Sequence, residues 1–132
     1  MKIYYAHSQW KYGTKIEDYE LRVIHEYFPR AEIINPAKDI DQSGTEEDVM
    51  QRCLEAVRSA DLVVFSSVDG TIGNGVLWEV EDAIWERPVL YLQHEELVPA
   101  TRFQMCIKEA SLFSHLQHAD VVPLTEVISW TT

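Results

Sequence analysis

Disulfide-forming cysteine, positive charge and long apolar runs are all in short supply in this sequence. Its two cysteines, Cys53 and Cys106, are too few for a disulfide framework. Cys53 falls on the apolar side of a predicted helix, where a buried, reduced thiol is expected. No apolar run approaches the roughly 20 residues that a membrane-crossing helix needs. The opening Met1–Ala6 is too short for a signal peptide, so a cytoplasmic location is expected. Lys and Arg number 11 against 22 Asp and Glu, a net charge of −11. Such a surface repels phosphate backbones and anionic lipid, so neither nucleic-acid polymers nor membranes are expected partners. A small phosphorylated ligand is still compatible, because a helix N-terminus can hold one phosphate locally. Neither a Walker-type loop nor a Rossmann glycine fingerprint is present, and no cofactor is expected. His115, His118 and Cys106 lack further ligands at a sensible spacing, so no metal site is expected either.

What is present suits one core. The chain has 132 residues, 46% of them hydrophobic, with no internal repeat, low-complexity tract or linker. A single domain over 1–132 is expected. Strands and helices alternate, which predicts a parallel sheet covered by helices. The first strand is Lys2–Ala6, followed by a loop from His7 to Thr14. A helix over Lys15–Phe28 is predicted to bury Ile16, Tyr19, Val23 and Tyr27, and Pro29 stops it. Ala31–Asn35 is the second strand, and Pro36–Gly44 reads as an acidic loop. Thr45 and Asp48 form a capping-box pattern ahead of a helix whose stripe is Val49, Met50, Cys53, Val57 and Ala60. Asp61–Phe65 is the third strand, and its Leu62–Phe65 run is apolar on both faces, as a central parallel strand should be. A small-residue loop, Ser66–Asn74, leads into a helix from Gly75 to Glu86 and a strand over Pro88–Leu92. Gln93–Ala100 reads as an acidic loop, Arg102–His118 as a helix or a strand and helix, and Asp120–Pro123 as the fifth strand. The expected architecture is a flavodoxin-like, doubly wound α/β sheet of about five mainly parallel strands, ordered 2-1-3-4-5.

In such a sheet the strand order reverses between the first and third strands, and ligands bind there, outside the carboxyl ends. The loops at that point are His7–Thr14 and Ser66–Gly75. On the helix from Gly75, Val76, Leu77, Val80, Ala83 and Ile84 form the apolar face, and Glu79 lies on its flank, about 100° from the centre. Helical side chains lean toward the N-terminus, which aims Glu79 back into the crevice. The helix dipole is expected to keep this carboxylate ionised and nucleophilic. Glu81 sits on the other flank. Gly73 and Gly75 leave room for a ligand to approach the backbone.

The segment Asp61–Asp69, the run Gly73-Asn74-Gly75-Val76-Leu77-Trp78-Glu79-Val80-Glu81-Asp82-Ala83, and Arg87-Pro88-Val89 together resemble the nucleoside 2-deoxyribosyltransferase family. Tyr4-Tyr5-Ala6-His7-Ser8 resembles that family's N-terminus, and the likeness covers roughly residues 1–92. The resemblance implies that Glu79 attacks the anomeric carbon of a nucleoside, releases the base and leaves a glycosyl ester for water or a second base. It also implies a phenol beside Glu79. Tyr4 and Tyr5 are both candidates, and strand alternation lets only one face the pocket. Asp69 is the candidate acid for the leaving base, or else a turn residue before Gly70. The candidate catalytic set is thus Glu79, Asp69 and Tyr5. The candidate substrate contacts are Tyr4, His7, Ser8, Trp10, Ser66, Ser67, Gly73, Asn74 and Gly75. His7 would bind a phosphate or the leaving base, or else stay an exposed loop histidine. Trp10 and Tyr12 would stack on a base or pack the loop down.

Trp78 and Trp85 lie seven residues apart on the outer side of the Glu79 helix, which predicts a homodimer or higher homo-oligomer through that helix. Two other functions stay open beside the enzyme: a non-catalytic sensor of a nucleotide or ADP-ribose derivative, and an acidic protein-interaction domain.

Overall fold

A computed structural model of the chain describes residues 1–68, 71–93, 95–100 and 121–123. The apolar runs at the start and middle of the sequence become neighbouring strands. Strand β1 (Lys2–Ala6) pairs in parallel with β2 (Glu32–Ile34) on one side and β3 (Leu62–Phe65) on the other. Strand β5 (Val89–Gln93) lies parallel to the far side of β3, and β6 (Glu96–Ala100) closes that edge as an antiparallel partner of β5. The five-stranded sheet therefore runs β2-β1-β3-β5-β6. A separate two-stranded ribbon pairs β4 (Thr71–Gly73) antiparallel to β7 (Val121–Pro123).

Local signals set the helix starts. Helix α1 (Lys15–Tyr27) begins at Thr14, whose hydroxyl accepts from the Glu17 amide. Helix α2 (Pro36–Asp39) uses Asn35 as its cap and Pro36 in its first turn. Helix α3 (Glu46–Ser59) has the full Thr45/Asp48 capping box. Helix α4 (Asn74–Ala83) starts after Gly73 with no side-chain cap.

Strand alternation divides the interior in two. Tyr4, Ala6, Val63 and Phe65 face α3 and α4, where they meet Cys53, Val57, Val76, Leu77, Val80 and Ala83. Ile3, Tyr5, Leu62 and Val64 face α1, where they meet Val23 and Ile24. The molecule is thus a mixed α/β structure, its sheet mostly parallel and covered by helices on both faces. Among the described residues no helix is long and apolar enough to cross a membrane.

Several sequence expectations need correcting. The stretch expected as an acidic loop from Gln93 to Ala100 instead holds the end of β5 at Gln93 and the whole of β6, the second arm of a hairpin, and Pro99 is accommodated because β6 is an edge strand. Val121–Pro123 is a strand, yet it joins the ribbon rather than the main sheet. The loops expected at 36–44 and 66–74 contain α2 and β4. Helix α1 is turned from its expected face: Ile16, Tyr19 and Tyr27 are 57%, 39% and 49% exposed, while Glu17 and Glu20 are buried beside Val23 and Ile24. Both acids have buried polar partners, described below. The stretch 102–118 lies outside the described residues.

Candidate active site

Parallel neighbours deliver their following loops to the same end of a sheet. Ala6 and Phe65 are register partners, and the Ser66 amide donates to the Ala6 carbonyl at 3.1 Å. The segments after β1 and β3 therefore leave side by side. Lys11 ties them together. This buried ammonium group lies 2.8 Å from Ser66 Oγ and 2.6 Å from the Ser67 carbonyl oxygen, and 3.0 and 3.2 Å from the two carboxylate oxygens of Glu20. Glu20 also accepts hydrogen bonds from Tyr5 Oη and, at 2.7 Å, from Ser66 Oγ. A buried charge is stable only when it is paired and its lone pairs are filled, and Glu20 meets both conditions.

His7 belongs to the same α1-side network. Its ring stacks on Tyr5 with centroids 3.7 Å apart. Nε2 lies 2.7 Å from Glu17 Oε2, and Nδ1 lies 3.0 Å from the Tyr5 carbonyl oxygen. Burial pushes the His7 pKa below its ordinary value, against the opposing pull of Glu17 and that carbonyl.

On the opposite face of the sheet, Glu79 is only 5% exposed. Helix α4 presses Val76, Leu77, Val80 and Ala83 into the core, and the carboxyl group on the flank goes in with them. Tyr4 Oη donates to Glu79 Oε2. The Cys53 thiol, from α3, is within hydrogen-bond reach of the same phenol. Tyr12, half-buried in the loop after β1, feels both groups: burial first, then Glu79 and Cys53, raise its pKa. A carboxyl, two phenols and a thiol thus converge from four elements. Burial pushes the Glu79 pKa up to about 8, and the Tyr4 hydrogen bond offsets only part of that rise. The expectation that the helix dipole keeps Glu79 ionised is therefore overturned at neutral pH. A dipole contributes about 0.3–1 kcal/mol, which is small beside the cost of desolvating a carboxylate.

The other candidates fall into place unevenly. Tyr4, not Tyr5, is the phenol beside Glu79; Tyr5 points to the α1 face and is bonded to Glu20. His7 is neither an exposed loop residue nor a free phosphate ligand, because both ring nitrogens face protein acceptors. Ser8 Oγ accepts from the Trp10 amide at 3.2 Å, capping the short turn Gln9–Lys11. Ser66 is committed to Lys11 and Glu20, and Ser67 Oγ lies 2.9 Å from Tyr91 Oη. Trp10 is 84% exposed and does not pack the loop down. Gly73 caps α4 and Asn74 is its first residue. Gly75 lies beside α3, where a Cβ would meet one atom, Met50 Cε, at 3.3 Å. Glu81 is half-buried. Asp69 lies outside the described residues.

Sequence reasoning did not single out Lys11, Glu17 or Glu20. The available signal was two acids three residues apart on α1, on the same helical side as Val23 and Ile24. No protein-family model matches the chain, and no curated protein matches it closely enough to count as a relative.

Proposed function

We propose that this protein cleaves or transfers the N-glycosidic bond of a small nucleoside or nucleotide, with Glu79 as the nucleophile. The observation that carries this reading is the buried Glu79 carboxyl group held by the Tyr4 phenol at the reversal of strand order. The resemblance to the nucleoside 2-deoxyribosyltransferases supports the same assignment. We further take the four parallel strands as the centre of a flavodoxin-like sheet whose outer edge is antiparallel.

In the proposed reaction, Tyr4 fixes one carboxylate oxygen and leaves the other for the anomeric carbon. A Glu79–sugar ester forms as the glycosidic bond breaks, and the base departs with the bonding electron pair. Asp69 is the proposed proton donor to the base. Water or a second base then attacks the anomeric carbon and frees the carboxylate. Burial serves this chemistry in one direction: an anion that is poorly solvated is a stronger base and nucleophile once formed. Trp10 and Tyr12 are the proposed platform for the base. Incubation with a panel of deoxynucleosides, nucleotides and NAD, followed by chromatography, should show release of free base from at least one class. No release from any of them sinks the catalytic reading.

One observation favours a second reading. A Glu79 that holds its proton at neutral pH is a hydrogen-bond donor, which suits a non-catalytic sensor of a nucleotide or ADP-ribose derivative. That module would be thermally stabilised by its ligand without consuming it. Self-association is also proposed. Helix α4 ends at Ala83, short of the expected Glu86, so Trp78 lies on the helix and Trp85 in the turn after it; they are 51% and 54% exposed, a large aromatic area to leave in water. Light scattering should report a homodimer or larger assembly, and Trp78→Ser should shift it toward monomer. A wild-type monomer removes the proposal of self-association.

A further inference from the structure

Tyr4 and Tyr12 both stand near Glu79, but only Tyr4 is spent on it. The Tyr4 hydroxyl donates to Glu79 Oε2, and its side chain is wholly buried. Tyr12 is half-buried, and its hydroxyl makes no hydrogen bond among the described residues. Its phenol still lies close enough to Glu79 for that charge to raise its pKa. The two groups are therefore neighbours set farther apart than a hydrogen bond.

Tyr12 is held in place by its surroundings. Its backbone amide donates to the Gln9 carbonyl at 3.0 Å, and Lys11 before it is locked to Glu20, Ser66 and Ser67. Its ring rests against His7, with centroids 5.0 Å apart, and His7 is itself stacked on Tyr5. The hydroxyl is thus a positioned donor with no partner inside the fold. Burial first, then Glu79 and Cys53, raise its pKa, so it keeps its proton while Glu79 ionises. It can donate a hydrogen bond but is a poor acid.

Displacement at an anomeric carbon brings the nucleophile in on one side and sends the base out on the other. A donor set across a gap from the nucleophile meets the leaving base. As the base departs with the bonding electrons, negative charge spreads to the acceptor atom beside the glycosidic nitrogen, N3 of a purine or O2 of a pyrimidine. A donor fixed at that atom stabilises the transition state more than the ground state. We propose that Tyr12 is a further catalytic residue of the Glu79 site, its Oη donating a hydrogen bond to that acceptor atom of the leaving base. This inference rests on the Glu79 reading. No proton leaves Tyr12, and Asp69 remains the source of the proton for the base. The Tyr12 ring is already packed against His7, so the stacking face of the base platform falls to Trp10, which is 84% exposed.

Base release by wild type and Tyr12→Phe tests this, with the best-cleaved nucleoside or nucleotide and with analogues of it that carry a halogenated base. Halogenated bases are more stable as anions and leave with less help. Tyr12→Phe should lower kcat/KM on the parent substrate by about 10–100-fold. The deficit should shrink as the base becomes a better leaving group. The phenylalanine ring keeps its place on His7 and the fold loses no hydrogen bond, so the urea midpoint should stay at the wild-type value. The rise of kcat/KM with pH should also stay where Glu79 sets it, because Tyr12 makes no hydrogen bond to that group. An equal deficit across the analogues, an unchanged kcat/KM or a displaced pH rise overturns the role of Tyr12 while base release still depends on Glu79. No release from any substrate, or release that survives Glu79→Gln, removes the Glu79 reading and this inference with it.

Discussion

Glu79→Gln should lower base release by at least about a thousandfold, because a carboxamide cannot form or leave a glycosyl ester. The wild-type pH profile should carry the same signature. With a pKa near 8, about a tenth of the molecules hold an ionised Glu79 at pH 7. The value of kcat/KM should therefore climb through neutrality and level off above about pH 8, since this ratio reports the free enzyme. Tyr4→Phe should move that rise to higher pH, because the lost hydrogen bond was lowering the Glu79 pKa. Stability separates a missing nucleophile from a damaged fold. The folded state keeps the Glu79 proton to about pH 8, while an unfolded glutamate releases it near 4.5. Between those values the unfolded state binds fewer protons, so wild-type stability falls as pH rises. Glutamine does not titrate. The variant should gain on wild type across that window, by up to about 3 kcal/mol at pH 7, and lose the advantage at low pH. A variant that is inactive and also less stable at pH 8 would contradict this account of the site.

The direction of Glu79 was legible before its protonation state. Its flank position on α4 follows from the apolar spacing of Val76, Leu77, Val80 and Ala83, and that spacing is a local property. Its pKa depends on the depth of the core and on Tyr4, which come from elsewhere in the chain. The same division runs through the fold. Leu62–Phe65 is a central strand because four consecutive apolar residues need two covered faces, and Thr45 with Asp48 is a cap within a span of four residues. The α1 face was misread because two stripes compete there. Ile16, Tyr19 and Tyr27 are more apolar, but Lys11, Tyr5 and Ser66 satisfy the acids on the other stripe. No periodicity reveals a partner 46 positions away, the separation of Ser66 from Glu20. Strand β6 was hidden by Glu95, Glu96 and Pro99, residues that protect a sheet edge as readily as they populate a loop. Alternation stated that only one of Tyr4 and Tyr5 faces Glu79; which one depended on the side that α4 covers.

Lys11→Met should destabilise the fold by about 3–5 kcal/mol, the usual consequence of leaving a buried carboxylate without its cation. Glu20 would keep its bonds from Tyr5 and Ser66 but lose the only ammonium group that touches it among the described residues. With total stability of about 5–15 kcal/mol for a domain, a loss of that size is visible as a large drop in the urea midpoint. The second-site test is Glu20→Gln on the Lys11→Met background. Removing the stranded charge should recover a substantial part of the loss, and Glu20→Gln alone should be harmful because it leaves Lys11 unpaired. Non-additivity of that sign would locate the energy in the pair rather than in either side chain. Function should not recover with stability. Lys11 is also the bolt between the loop after β1 and the Ser66–Ser67 segment after β3, through 2.8 and 2.6 Å contacts that Met cannot make. The double variant should therefore fold yet bind ligand poorly, since Tyr12 and Trp10 ride on the loop that Lys11 anchors. If the double variant matches wild type in ligand affinity, the two loops are held by other contacts and Lys11 serves the core alone.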